Sequence, residues 1–186
     1  MKKFVFFALI ILGTLAQTHG QAVLGEKVHN FTTLDQNDEK WNLKSNLKKS
    51  DYLVIYFYPV AFTGGCTAQA CSYRDHKGEL DAVNAQVVGV SGDSPQTLEL
   101  FALEHSLNFN MLSDEHGELA KIFGVPYGDG GTITREIKGT NLDLTRGSTI
   151  QRWTFILDQD GTLIYKDTEV DAADDSAKVL EFLSDL

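Results

Sequence analysis

Apolar residues fall along this chain in short blocks whose spacing separates strand from helix. The densest block is Asp51-Tyr-Leu-Val-Ile-Tyr-Phe-Tyr58, almost continuously β-branched or aromatic. Such a run predicts a central strand covered on both faces, and Pro59 ends it. Residues 86–91 (Gln-Val-Val-Gly-Val-Ser) predict a second buried strand. Between the two, Thr67 to about Asn84 predicts a helix with Ala70, Tyr73, Leu80 and Val83 on its buried side. Ser94 then suits an N-cap and Pro95 the first helical position. Leu98, Phe101 and Ala102 continue that helix as an apolar stripe. A short strand is expected over 108–112, and a short helix over 115–123 closed by Gly124.

The flanks complete the pattern. Residues 31–34 and 40–43 bracket Asp35-Gln-Asn-Asp38 and predict a strand, turn and strand. Residues 152–157 predict another strand, Asp158-Gln-Asp-Gly161 a turn, and 162–166 its return partner. An amphipathic helix is expected over 173–186. Strands alternating with helices and then a hairpin predict an α/β layer fold: a mixed central sheet flanked by helices, with right-handed crossovers. A thioredoxin-like fold is the match. One stretch exceeds it. Residues 125–150 hold two alternating runs, 132–137 and 141–145, around Lys138-Gly139-Thr140, and predict an inserted β-hairpin. The Gly128-Asp-Gly-Gly131 cluster neither follows a strong strand nor opens a helix with a lysine, so a phosphate cradle is not expected there.

The first residues follow another rule. Met1-Lys2-Lys3 is basic, residues 4–12 are apolar, and small residues follow. This is the layout of a secretory signal peptide. The apolar run is short of the ~20 residues that span a bilayer. The expectation is a leader over residues 1–22, cut somewhere between 16 and 22, and one domain over 23–186. The protein would then be exported, to a periplasm or outside the cell. An uncleaved anchor or a buried N-terminal helix is the alternative.

Charge narrows the partners. Sixteen Lys and Arg against 26 Asp and Glu leave a net charge of −10. Nucleic-acid binders carry a basic footprint, which is missing here. Electrostatic docking on anionic membranes is disfavoured for the same reason.

The chemistry is expected at the two cysteines, Cys66 and Cys71. A buried strand runs into the loop 59–65, and Cys66 falls where a helix begins. Unpaired backbone N–H groups and the helix dipole favour a negative sulfur at such a place. The thiolate is the reactive form of cysteine. Gly64 and Gly65 predict backbone access and little cover over the sulfur. Residues five apart in an intact helix have Cα atoms roughly 8.7 Å apart. A disulfide needs less than ~7 Å, so bonding requires the helix to unwind. That disfavours a static staple and favours a redox switch. Zinc would need two more ligands, and His76 alone does not supply them at a usual spacing. His29, His105 and His116 are expected on the surface.

Pro59-x-x-x-Thr63-x-x-Cys66 resembles the active-site signature of the peroxiredoxins, the AhpC/TSA group. Cys71 followed by Tyr73-Arg74-Asp75 resembles their PrxQ branch, also called bacterioferritin-comigratory protein. Arg152-Trp-Thr-Phe resembles the strand that supplies that family's arginine. The resemblance implies a thioredoxin-dependent thiol peroxidase without metal, haem or flavin, acting on hydrogen peroxide and organic hydroperoxides. It implies that Cys66 is the peroxidatic and Cys71 the resolving cysteine. Arg152 would hold the thiolate and polarise the peroxide, Thr63 would position it, and Pro59 would shield the loop. A monomer and a thioredoxin-like reductant are expected. Rival readings are an exported thiol–disulfide oxidoreductase and a secreted binding module with a static disulfide.

Overall fold

A computed structural model describes residues 21–186, so the expected leader lies almost wholly outside the described residues. The chain begins with a hairpin, β1 (Thr32–Asp35) and β2 (Lys40–Asn42). A four-residue helix α1 (Leu43–Asn46) and a 3-10 turn (Leu47–Lys49) follow, neither anticipated from the sequence. Next come β3 (Tyr52–Phe57), α2 (Gly64–Asp75), α3 (Lys77–Ala82), β4 (Ala85–Ser91) and α4 (Pro95–Glu104). Then come β5 (Asn110–Ser113), α5 (Glu118–Phe123), β6 (Tyr127–Ile137) and β7 (Thr140–Ile150). The last elements are β8 (Thr154–Asp158), β9 (Leu163–Asp167) and α6 (Asp175–Ser184). Seven strands form one mixed sheet in the order β2-β1-β5-β4-β3-β8-β9, while β6 and β7 pair separately.

The central run behaves as its composition requires. Strand β3 pairs in parallel with β4 and antiparallel with β8. Its side chains alternate between two apolar layers. Leu53, Ile55 and Phe57 join Phe123 and Phe155 on one face. Val54, Tyr56 and Tyr58 join Tyr73, Leu80, Leu98 and Phe101 on the other. A period-two strand buried on both faces must be apolar throughout. The second layer carries helices α2, α3, α4 and α6, and it includes Cys66.

Helix 67–84 was expected in one piece and occurs in two. His76 leaves helical geometry at φ −86° and ψ 9°, between α2 and α3. Its Nδ1 lies 2.8 Å from the Ser176 hydroxyl of α6, a contact no local pattern announces. The expected helix 115–123 starts later, at Glu118, because Gly117 is left-handed at φ +68°. The buried Asp114 carboxylate accepts from the Leu119 and Ala120 N–H groups and satisfies the helix start. Ser94 and Pro95 open α4 as expected, with the Ser94 hydroxyl accepting from Thr97 N.

The inserted hairpin is longer than its two alternating runs. Both arms have eleven residues and extend through the glycines. A side chain at Gly130 would put Cβ 2.1 Å from the Arg146 carbonyl oxygen, so only glycine fits that crossing. The hairpin docks on the carboxyl end of β4. Gly147 N donates to Gly92 O, and Ser94 N to Thr145 O. At its far part Arg135 Nε donates to the Phe62 carbonyl at 3.2 Å, so the insertion touches the β3–α2 loop.

Candidate active site

The loop that carries the motif is held from below. The Ala61 N–H donates to Asp93 Oδ2 at 2.9 Å, and the Ser91 hydroxyl donates to the same oxygen at 2.8 Å. Burial pushes the Asp93 carboxyl above its ordinary range, against the lowering effect of those two donors. Phe62 takes a left-handed backbone at φ +61°, uncommon for a large side chain. Its ring packs on Phe101 (5.0 Å) and His105 (5.8 Å), which offsets that strain. His105 is therefore half-buried against aromatics, contrary to the surface position expected for it.

Thr63 is the N-cap of α2, yet its hydroxyl donates to the Val60 carbonyl at 2.9 Å and caps no helical N–H. Pro59 is half-buried where β3 enters the loop. Cys66 is the third residue of α2. Its sulfur is not lightly covered as the two glycines suggested; the residue is 2% exposed. The third helical position points down toward the sheet, beside Tyr58, Ala61 and Ala70. The bareness of Gly65 serves another group. A Cβ there would come within 3.4 Å of Arg152 Nη2.

Arg152 stands just before β8, in a segment tied to β3 by Phe57 N donating to Trp153 O. Its Nη2 donates to Cys66 Sγ at 3.3 Å. Its Nη1 donates to Gln69 Oε1 at 2.5 Å. Residues 86 apart in sequence are thus brought together. A guanidinium, which keeps its charge, is thus aimed at the sulfur of a buried cysteine.

Two further residues complete the site, and neither was expected to take part in it. Gln69 is fully buried, and its Nε2 donates to Asp175 Oδ2 at 2.7 Å. The same oxygen accepts from Tyr73 OH (2.7 Å) and Thr154 Oγ1 (2.9 Å). Burial pushes the Asp175 carboxyl up, while Gln69, Tyr73 and Thr154 pull it down. A glutamine and an aspartate 106 residues apart carry no sequence signal of their pairing.

Cys71 is half-buried further along α2, and both cysteines are free thiols. They share one unbroken helix. Their i, i+5 separation is the one that helix geometry puts beyond disulfide reach. Among the described residues, no cluster of three or more His, Cys, Asp or Glu is gathered as a metal site.

This arrangement has relatives. Residues 24–166 match the model of the AhpC/TSA family. The chain belongs to that family. A putative peroxiredoxin Bcp of Haemophilus influenzae is 33% identical over 163 residues, covering 88% of this chain and 97% of its own length. The crystal structure of peroxidoxin BcpB from Mycobacterium tuberculosis superposes with a TM-score of 0.73 at 29% identity. It covers 89% of this chain and 99% of that one. A structure of the Xanthomonas campestris bacterioferritin comigratory protein, described for its alkyl peroxide reduction activity, superposes with a TM-score of 0.67 at 25% identity. That match covers 83% of this chain and 90% of the other. The protein is a peroxiredoxin of the PrxQ/Bcp branch and so a thiol peroxidase, with a thioredoxin fold.

Proposed function

We propose that Cys66 is the sulfur that this peroxidase oxidises and that Cys71 recycles it. The observation that carries this reading is the 3.3 Å approach of Arg152 Nη2 to Cys66 Sγ. The Cys66 thiolate attacks one peroxide oxygen and the O–O bond breaks. The sulfur leaves as sulfenic acid, and the other oxygen takes a proton and departs as water or an alcohol. Arg152 stabilises the thiolate and the departing oxygen, since its donors are fixed and always charged. Rotation of the Thr63 hydroxyl from the Val60 carbonyl toward the substrate would position the peroxide. Pro59 limits water at the loop.

Cys71 then attacks the sulfenic sulfur. An S–S bond forms, and the hydroxyl leaves as water with the thiol proton. The first turns of α2 unwind to let the two sulfurs meet. A thioredoxin-like dithiol returns both cysteines to thiols by exchange. Hydrogen peroxide and small organic hydroperoxides are the substrates, and the unit at work is a monomer. The basic-then-apolar start of the chain supports export to a periplasm or beyond the cell. An N-terminal sequence of the mature protein beginning between residues 17 and 23 would bear that out, and an intact Met1 would reject it.

The test is peroxide consumption with a thioredoxin system. Cys66→Ser abolishes it. Cys71→Ser completes one turnover, trappable as sulfenic acid by a dimedone-type reagent, and then stops. Undiminished turnover in Cys66→Ser would overturn the assignment.

A further inference from the structure

Arg152 reaches Cys66 with one edge of its guanidinium, and Gln69 Oε1 accepts from the other. A glutamine amide offers an oxygen on one side and an NH2 on the other. A guanidinium offers only donors, so the oxygen must face Arg152. What keeps the amide from turning over is the acceptor behind it, Asp175 Oδ2 at 2.7 Å from Nε2. We propose that Asp175 is a positioning residue for peroxide reduction: it locks the Gln69 amide so that Gln69 holds Arg152 against Cys66. This rests on the assignment of Cys66 as the oxidised sulfur.

The surroundings support a built role. Asp175 is 1% exposed and Gln69 is fully buried. Three donors from two different elements converge on one carboxylate oxygen: Gln69 and Tyr73 from α2, and Thr154 from β8. The other oxygen, Oδ1, is buried without a hydrogen-bond partner among the described residues. A buried carboxyl that leaves half its capacity unused is not optimised for stability. Only Oδ2 is required, so the function asked of residue 175 is an acceptor at that point, not a charge. The titratable or charged groups facing this carboxyl are Tyr73 of α2, Tyr56 of β3, and Tyr165 and Asp167 of β9, with Arg152 and Cys66 beyond Gln69.

Substitutions separate this from simple packing. Asp175→Asn keeps an oxygen where Oδ2 stands and leaves its NH2 at the unpartnered side. Its rate constant for Cys66 oxidation by peroxide, followed by stopped-flow tryptophan fluorescence, is expected within about threefold of wild type. Asp175→Ala removes the acceptor, frees the amide and lowers that rate constant about 10²-fold, the scale of a small misplacement at a reacting centre. Gln69→Glu sets two carboxyl groups together that cannot both ionise at such a distance. Its rate is expected to fall about tenfold or more at pH 8. Gln69→Glu combined with Asp175→Asn restores a donor–acceptor match and is expected to recover to within about threefold.

A folded Asp175→Ala as fast as wild type overturns the proposal, as does an Asp175→Asn as slow as Asp175→Ala. Should Asp175→Ala fail to fold, a double variant no faster than Gln69→Glu alone overturns it. Arginine side-chain NMR keeps the two readings apart. A slowly exchanging Arg152 guanidinium that becomes mobile in Asp175→Ala supports the lock even in a protein that reduces no peroxide.

Discussion

Helices α2 and α4 both begin where a parallel strand ends, and their first turns are built in opposite ways. At α4, Ser94 accepts from Thr97 N and Pro95 supplies a preset first residue. At α2, the N-cap Thr63 turns its hydroxyl back to Val60, and glycines occupy the first two positions. Each glycine costs a helix interior roughly 1 kcal/mol relative to alanine. The far half of α2 is held firmly. Tyr73 stacks on Tyr56 at 4.7 Å and bonds Asp175, and Ser72 meets Ser176 at 2.5 Å. The start of α2 is held by Arg152 at Cys66, by Gln69 and by the burial of Cys66 in the apolar layer. One helix start is fixed for stability. The other is less firmly capped, as the proposed joining of Cys66 to Cys71 demands.

Breaking the hold on the α2 start should give the largest effect. Arg152→Met removes both donors and is expected to slow Cys66 oxidation about 10²- to 10³-fold, read by stopped-flow fluorescence. Nothing at α4 carries a comparable rate penalty. Removing the α4 cap should do the converse. Ser94→Ala is expected to cost about 1 kcal/mol, a fall in Tm of roughly 2–4 °C by calorimetry. The rate of disulfide closure should stay as it is.

A subtler change sharpens the contrast. Gly64 is exposed, and a Cβ there meets nothing within 4 Å. Gly64→Ala is expected to stabilise the first turn of α2 by about 0.5–1 kcal/mol and slow closure by up to about fivefold. Mass spectrometry after a single peroxide pulse would follow this, as the sulfenic form persists longer. Equal closure rates would mean that the first turn does not open on the way to the disulfide.

The smallest expected effect concerns pH. Burial raises the Asp175 carboxyl above its unfolded value. The folded chain therefore holds that proton at pH values where the unfolded chain has released it. Stability is lost as pH climbs from the ordinary aspartate value of about 3.9 through the raised one. The stability of wild type relative to Asp175→Asn should decline across that window, measured by urea unfolding at stepped pH. A flat difference would show that the carboxyl titrates alike in both states.

Much of this was legible from residue order. The run 51–58 announced a strand buried on both faces, because a side-chain period of two leaves no polar position when both sides are covered. Cys66 stood out because it falls where a helix begins after a buried strand, while Pro59, Thr63 and the distant Arg152 stood out through their resemblance to the peroxiredoxin signature. The hairpin of 125–150 was visible in its two alternating runs, while the extension of its arms through the glycines showed only in the fold. Other features were decided only by the folded molecule. The burial of Cys66 depends on which side of α2 meets the sheet. The break at His76 depends on a hydroxyl in α6. Gln69 and Asp175 acquire meaning only when β8 and α6 pack beside α2, since hydrogen-bond partners a hundred residues apart leave no periodic trace. Local pattern determined the elements and put Cys66 where a helix begins; long-range packing decided what surrounds that sulfur and brings Arg152 to it.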